Sequence, residues 1–303
     1  MEGTIIKGIN NIYTVLIDDG SQRLCRIKGK VLRDIEDDKT PLVPADRVTI
    51  QPESDGQGMI VARMERDNQF RRYNLKRRMV QTVFANVDQL LCLVSVGEPT
   101  FRPGFVDRVL LCAGRIPVII GINKCDLPID SETEDQLQVY EGLGIPVLRM
   151  SVSEDMGITD LIKLCQGKRT ALFGQSGVGK STLVNRLIPE AEQRTNEISL
   201  RYNKGRHTTN YSVLFRDTRA SWELLDTPGV REIEIPDLEP HQISYEYPEM
   251  EQYIGLCKFL PCLHIHEPGC AVRQGLASGM IDPGRYDRYV RIVEDQQQRS
   301  GMR

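Results

Sequence analysis

Asn123-Lys124-Cys125-Asp126 (NKCD) precedes Gly174-Gln175-Ser176-Gly177-Val178-Gly179-Lys180-Ser181 (GQSGVGKS) in this chain, and that order decides the fold. The second stretch ends an apolar run, RTALFG, and opens a helical pattern, STLVNRLI, the context of a phosphate-binding loop. Its glycines let backbone N–H groups converge on phosphate oxygens at the positive end of a helix dipole. Lys180 is then placed for the β- and γ-phosphates, and Ser181, followed by Thr182, for Mg²⁺. The first stretch closes the apolar run PVIIGI and carries a base-reading pattern. Asp126 offers two carboxylate oxygens to the N1–H and amino donors on guanine's edge, a pair that adenine lacks. Asn123 can brace the loop, the Lys124 stem can cover a ring face, and Cys125 fills the variable position. In an ordinary GTPase the base-reading half follows the phosphate-reading half, so this arrangement is a circular permutation.

Three further stretches complete the nucleotide reading. Ser151-Val152-Ser153, at the end of PVLRMS, sits where a backbone N–H would approach guanine O6. The run WELL leads into Asp226-Thr227-Pro228-Gly229, in which Asp226 can hold Mg²⁺ and the Gly229 N–H can sense a γ-phosphate. The next residue is Val230, which cannot polarise water, so hydrolysis needs another group. Gly205-Arg206-His207-Thr208-Thr209 lies between the phosphate loop and WELL. One threonine, Thr209 ahead of Thr208, is expected to reach Mg²⁺. His207 is the candidate for positioning water, the alternative being a loop histidine with a structural role, and Arg206 could add positive charge.

Near the C-terminal end, Cys257, Cys262, His264 and Cys270 are spaced C-x4-C-x-H-x5-C. Three thiolates and one imidazole complete a tetrahedral Zn²⁺ site with no open position, which makes it structural. His266 is the alternative to His264, and a set of free thiols is the alternative to metal. Among the other cysteines, Cys25, Cys92, Cys112 and Cys165 lie in apolar stretches and read as buried thiols.

The 303 residues suit two or three domains, and 40% hydrophobic with 27% charged residues describes a soluble globular chain. A formal net charge of -3 excludes coating of nucleic acid by overall charge and leaves that role to local patches. The start, MEGTIIKGIN, has no secretory pattern and no apolar run is long enough for a span, so a cytoplasmic protein off the membrane is expected.

Working outward, residues 1–70 read as short strands such as GTIIKG, IYTVLID and DRVTIQ, which suggest an OB-type barrel or another small barrel or sandwich. A basic stretch comes next, with Arg71, Arg72, Lys76, Arg77 and Arg78 around Tyr73; it is either a solvated linker or a phosphate contact. Residues 71–235 carry the βαβ rhythm of a mostly parallel sheet with helices on both faces. Residues 236–303 read as a helical zinc-binding domain, with Tyr286, Tyr289, Val290 and Val293 on one helix face and Arg285, Arg288 and Arg291 off it.

In this order, the NKCD-first permutation, GQSGVGKSTLVNRL, GRHTT, DTPGVRE and CKFLPCLHIHEPGC resemble the ribosome small-subunit-dependent GTPase family, RsgA or YjeQ. The likeness implies an OB-fold domain, a permuted GTPase domain and a zinc-binding domain. It also implies GTP and GDP with Mg²⁺ as ligands, one structural Zn²⁺, and hydrolysis stimulated by the small (30S) subunit. Late subunit maturation, contact with 16S rRNA, possible encounters with other assembly factors and a monomeric state belong to the same expectation. The family's catalytic histidine maps onto His207, alongside Lys180 and Thr209.

Overall fold

The computed structural model describes residues 1–29, 41–53, 56–188, 211–217 and 221–301. Arg206, His207, Thr208 and Thr209 lie outside the described residues.

Strands β1 (Glu2–Ile9), β2 (Ile12–Ile17), β3 (Gln22–Ile27), β4 (Arg47–Pro52) and β5 (Gln57–Arg63) form a closed barrel in the order β1-β2-β3-β5-β4. The strands are short and alternate, so Ile5, Tyr13, Val15, Cys25, Val48, Ile50 and Ile60 fill the lumen while their neighbours face out. β3 runs parallel to β5 and β4 closes on β1. This connectivity is that of an OB-type barrel, which decides between the small β architectures the strand pattern permits. A buried pair, Arg66 Nε to Asp46 Oδ1 at 2.7 Å, and an Asn86 amide donating to the Ala45 carbonyl at 3.0 Å fasten the barrel to the segment C-terminal to it.

The basic stretch is a β-hairpin. β6 (Gln69–Asn74) pairs antiparallel with β7 (Met79–Ala85), and the turn exposes Leu75, Lys76, Arg77 and Arg78. At its base Phe70 stacks on Phe84 with centroids 4.9 Å apart and meets Phe173 at 4.7 Å. The hairpin is therefore seated on the strand that leads into the phosphate loop.

The central sheet has the order β10-β9-β8-β11-β13-β12, with β8 (Gln89–Ser95), β9 (Val118–Asn123), β10 (Val147–Arg149), β11 (Arg169–Gly174), β12 (Val213–Asp217) and β13 (Trp222–Asp226). All its pairings are parallel except β12 with β13. β8 is buried along its whole length, as a central strand covered on both faces must be. Helices α1 (Pro103–Ala113), α2 (Ser131–Gly142), α3 (Ile158–Cys165) and α4 (Lys180–Leu187) supply the crossovers. Asp130 caps α2 by accepting the Thr133 N–H at 2.8 Å, and Gly179, at φ 100°, opens α4. Every base- or phosphate-facing loop thus falls at the carboxyl edge of the sheet, where ligands of open α/β folds bind.

After two 3-10 turns, Pro240–Glu246 and Pro248–Tyr253, the chain forms the Cys/His loop and helices α5 (Ala271–Ala277) and α6 (Pro283–Gly301). This region shares one apolar core with α1, the hairpin and one face of the sheet. Of the arginines that the helical period sets off the apolar face of α6, Arg285 is buried and Arg288 is half-buried, both turned to an acid. Asp107 of α1 accepts from the Arg285 guanidinium at 2.6 Å, from Arg288, and from the Tyr140 hydroxyl of α2 at 2.6 Å. The Arg285 guanidinium lies 4.7 Å from the Tyr247 ring centroid and also pairs with Glu249. Among the described residues no helix is long and apolar enough to cross a membrane.

Candidate nucleotide site and metal cluster

The permuted halves meet through Asn123. Its side-chain amide donates to the Val178 carbonyl of the phosphate loop at 2.9 Å, and its carbonyl oxygen accepts the Val152 N–H at 3.0 Å. One buried side chain therefore joins the NKCD loop, GQSGVGKS and Ser151-Val152-Ser153. A Cβ on Gly179 would lie 2.3 Å from the Asn123 amide, so only glycine lets the loop approach this closely. Gly174 has a similar reason, since a Cβ there would fall 2.2 Å from the Leu93 carbonyl.

The base-reading end is open. Asp126 is exposed, and its Oδ1 accepts from the buried Ser151 hydroxyl at 2.6 Å. Ser151 in turn lies 3.0 Å from the Ser153 hydroxyl. That fixes one oxygen of an exposed carboxylate, a group that only accepts hydrogen bonds when ionised. Lys124, at φ 64°, donates through Nζ to the Glu98 carbonyl, which stretches its stem across the mouth of the site. Cys125 donates its backbone N–H to the Met150 carbonyl at 3.0 Å, pinning the loop to the end of β10.

At the phosphate end, Ser176, Gly177, Ser181 and Thr182 are exposed, whereas Gln175, Val178 and Lys180 are buried. Lys180 Nζ donates to the carbonyls of Gly174 at 2.9 Å and Gln175 at 2.5 Å. Burial drives the Lys180 pKa down to about 8, although the Asp226 carboxylate opposes that fall. Asp226 ends β13 beside the phosphate-loop strand, and a Cβ on Gly229 would sit 3.0 Å from Lys180 Nζ. The Gly229 backbone thus reaches the lysine head, where a terminal phosphate would lie. Asp226 ends β13 and Ser181 lies in the first turn of α4, which follows the neighbouring strand β11; a hydroxyl with a carboxylate is an oxygen donor set suited to Mg²⁺.

The Cys/His cluster is a second, separate constellation. Ligand atoms of Cys257, Cys262, His264 and Cys270 lie within 4.8 Å of one another, and all four residues are buried. Cys257 and Cys270 sulfurs are 3.9 Å apart, while His264 Nδ1 is 3.5 Å and 3.4 Å from them. A tetrahedral Zn²⁺ with normal bond lengths requires edges of about 3.8 Å between sulfurs and about 3.6 Å between sulfur and nitrogen. The donor set therefore fits the ion. Of the two candidate histidines, His264 is in the cluster; His266 lies outside it. Backbone N–H groups of His264 and Ala271 each point at a cysteine sulfur at 3.4 Å, as thiolate ligands favour. Glu267, which the ligand spacing does not single out, accepts the N–H groups of Leu263, Ile265 and His266 at 2.7, 3.0 and 3.1 Å. It folds the ligand loop into shape.

A phosphate loop ending β11, a base-reading loop ending the earlier β9 and one asparagine tying them define a circularly permuted P-loop GTPase fold. The RsgA GTPase family model matches residues 63–236. A small ribosomal subunit biogenesis GTPase RsgA of Borrelia garinii subsp. bavariensis is 36% identical, the alignment covering 97% of this chain and 96% of that protein. A second, from Bacteroides thetaiotaomicron, is 35% identical over 98% of both chains. Among solved structures, YjeQ from Thermotoga maritima superposes with a TM-score of 0.74 at 28% identity, covering 98% of each chain. YloQ, a circularly permuted GTPase, gives a TM-score of 0.71 at 32% identity over 98% of this chain and 95% of that one. The chain belongs to the RsgA GTPase family.

Proposed function

We propose that this chain hydrolyses GTP to GDP and phosphate on the small ribosomal subunit and serves as a late factor in that subunit's maturation. The observation that carries the reading is the pair of Asn123 hydrogen bonds, which tie the NKCD loop to Val178 of GQSGVGKS and to Val152 from inverted positions in the chain, and this supports one site for a guanine-selecting Asp126 and a phosphate-binding Lys180. Family membership and the names of the relatives supply the subunit.

Asp126, held by Ser151, reads the guanine edge, with Lys124 over the ring and the Val152-Ser153 backbone near O6. The N–H groups of residues 176–182 and Lys180 hold the phosphates, and Gly229 senses the last of them. Ser181 and Asp226, with Thr209 or Thr208, would hold Mg²⁺, which neutralises developing phosphate charge when bound. His207 orients the attacking water, because Val230 cannot. Cys257, Cys262, His264 and Cys270 would hold Zn²⁺, which supplies folding energy and no chemistry.

The barrel, residues 1–70, and the exposed basic turn of the hairpin offer phosphate contacts that the net charge of -3 does not, which supports binding to 16S rRNA. Residues 71–235 are the GTPase domain and 236–303 the zinc domain of a cytoplasmic monomer that meets other assembly factors on the subunit. The deciding measurement is GTP turnover with purified small subunits, with large subunits and with neither. Stimulation by small subunits alone is expected; equal turnover in all three overturns the proposal. In the same assay His207→Ala lowers stimulated turnover at least about tenfold while leaving GTP affinity within a few-fold.

A further inference from the structure

The segment after Asp226 touches the phosphate loop and then, four residues later, the basic hairpin. The Ser176 N–H donates to the Val230 carbonyl at 3.0 Å, and the Val230 N–H donates to the Gly174 carbonyl at 3.3 Å. Val230 is thus laid alongside the loop next to Gly229, the residue whose backbone reaches Lys180. From there the chain is anchored by alternate side chains: Ile233 and Ile235 enter the shared core and Glu232 faces solvent. A segment held in that way transmits a shift at Val230 along its length, since relaxing it sideways would expose an isoleucine.

Glu234 is where the segment meets everything else. Its carbonyl accepts the Tyr73 N–H of β6 at 3.0 Å, an isolated antiparallel bridge to the hairpin. Its carboxylate lies 3.3 Å from the Arg108 guanidinium of α1 and 3.7 Å from that of Arg299 of α6. The Arg299 guanidinium sits 4.4 Å from the Tyr73 ring centroid. The Glu234 carbonyl therefore holds the hairpin directly, and its carboxylate does so through Arg299, which lies over the Tyr73 ring. By contrast, α6 is clamped to α1 and α2 through buried Asp107, so the zinc-bearing region is not a loose lever. The base of the hairpin is held by Phe70 and Phe84 in the core, whereas its basic turn, Leu75 to Arg78, is exposed.

We infer that Glu234 is a positioning residue that couples the occupancy of the phosphate loop to hairpin β6–β7, making that hairpin, rather than the zinc-bearing region, the nucleotide-responsive arm. The inference rests on reading the phosphate loop as a GTP site. A γ-phosphate that draws in the Gly229 N–H moves Val230 relative to Ser176; the shift reaches Glu234 and re-aims Tyr73 and the Lys76-Arg77-Arg78 turn. The coupling free energy is the difference between the nucleotides' affinities for the two hairpin positions.

The test is hydrogen–deuterium exchange over residues 69–85 of the full chain, with GDP and with a non-hydrolysable GTP analogue, alongside direct titration of both nucleotides. In the wild type, hairpin exchange differs between the two nucleotides. Glu234→Gln keeps the carbonyl and the volume but loses the charge that faces both arginines. It binds both nucleotides as the wild type does, yet its nucleotide-dependent difference in hairpin exchange shrinks about fivefold or more, the lower end of ordinary coupling. Glu232→Gln, the same change on an exposed neighbour, keeps the full difference, which a general loss of stability would not allow. A wild-type hairpin indifferent to nucleotide, or a full response in Glu234→Gln, overturns the inference. Failure of the wild type to bind either nucleotide overturns the reading of the GTP site as well, so the two failures are distinct.

Discussion

Asn123 and Val178 are 55 positions apart in sequence, and a hydrogen bond of 2.9 Å joins the amide of the first to the carbonyl of the second. The same side chain accepts the Val152 N–H, so its removal leaves two buried backbone groups unsatisfied. Each such group costs about 1–3 kcal/mol. Asn123→Ala is expected to weaken GTP binding on the order of 10- to 100-fold and to lower the melting temperature of the nucleotide-free protein by several degrees. Fluorescent-nucleotide titration and thermal melts check both, and wild-type affinity in the variant would show that the loops assemble without the tie.

Base selection predicts a swap of preference. In Asp126→Asn the carboxamide presents one donor, which suits xanthine, where an oxygen replaces the amino group of guanine. Competition between GTP and xanthosine triphosphate is expected to reverse in favour of the latter, and an unchanged order would remove Asp126 from base reading. Ser151→Ala, which frees the carboxylate oxygen the hydroxyl now holds, keeps the order and weakens GTP several-fold.

Lys180 gives a dependence on pH whose sign comes from its burial. Its pKa is about 8 in the folded protein against 10.5 for the unperturbed group. Between those values the unfolded chain binds more protons than the folded one, so the nucleotide-free protein gains stability as pH rises through that window. Lys180→Met, which removes the buried ammonium, flattens this slope and does not lower the melting temperature at pH 7, while GTP binding is lost. A triphosphate against the wild-type lysine restores its charge, so binding at about pH 8.5 is accompanied by proton uptake. Calorimetry in two buffers of different ionisation enthalpy measures that uptake, and a value of zero would contradict the assigned contact.

How much of this was legible in the sequence depended on whether the signal was local. GQSGVGKS and NKCD are short and lie between an apolar strand and a helix, so their positions at the sheet's carboxyl edge come from the sequence pattern. The spacing of Cys257, Cys262, His264 and Cys270 named the cluster, but only the folded chain chooses His264 over His266, since the loop wraps around the Glu267 carboxylate beside them. The hairpin was hidden because Arg71, Arg72, Lys76, Arg77 and Arg78 mask its strand alternation. Asp107 and Glu234 carried no signal at all, and the helical period set Arg285 off the apolar face without showing its partners: each acquires its meaning from residues far away in sequence.

The Cys/His cluster predicts a stoichiometry. One zinc per chain is expected by elemental analysis, persisting in His266→Ala and lost in His264→Ala. Structural zinc in small modules is worth roughly 10–16 kcal/mol of apparent binding energy, so stripping it with a strong chelator is expected to unfold the region around residues 255–270. Because that region shares a core with Tyr289 and Val293 of α6, its loss spreads to the helix. Circular dichroism before and after chelation reads that loss, and an unchanged helix signal would separate the cluster from the fold.

Asp107 carries the final prediction. It is wholly buried and balances Arg285 and Arg288, so a neutral isostere leaves one buried and one half-buried guanidinium with Glu249 as the carboxylate still paired to Arg285. Removing one partner of a buried ion pair costs about 3–5 kcal/mol, whereas replacing the whole set with apolar groups is often neutral. Asp107→Asn is therefore expected to lower unfolding free energy in urea by that amount. The triple change Asp107→Leu, Arg285→Met, Arg288→Leu recovers a good part of it. If the single and triple variants lose the same stability, the cluster is only packing volume; if the single variant loses none, α6 is held to α1 and α2 by the apolar core alone.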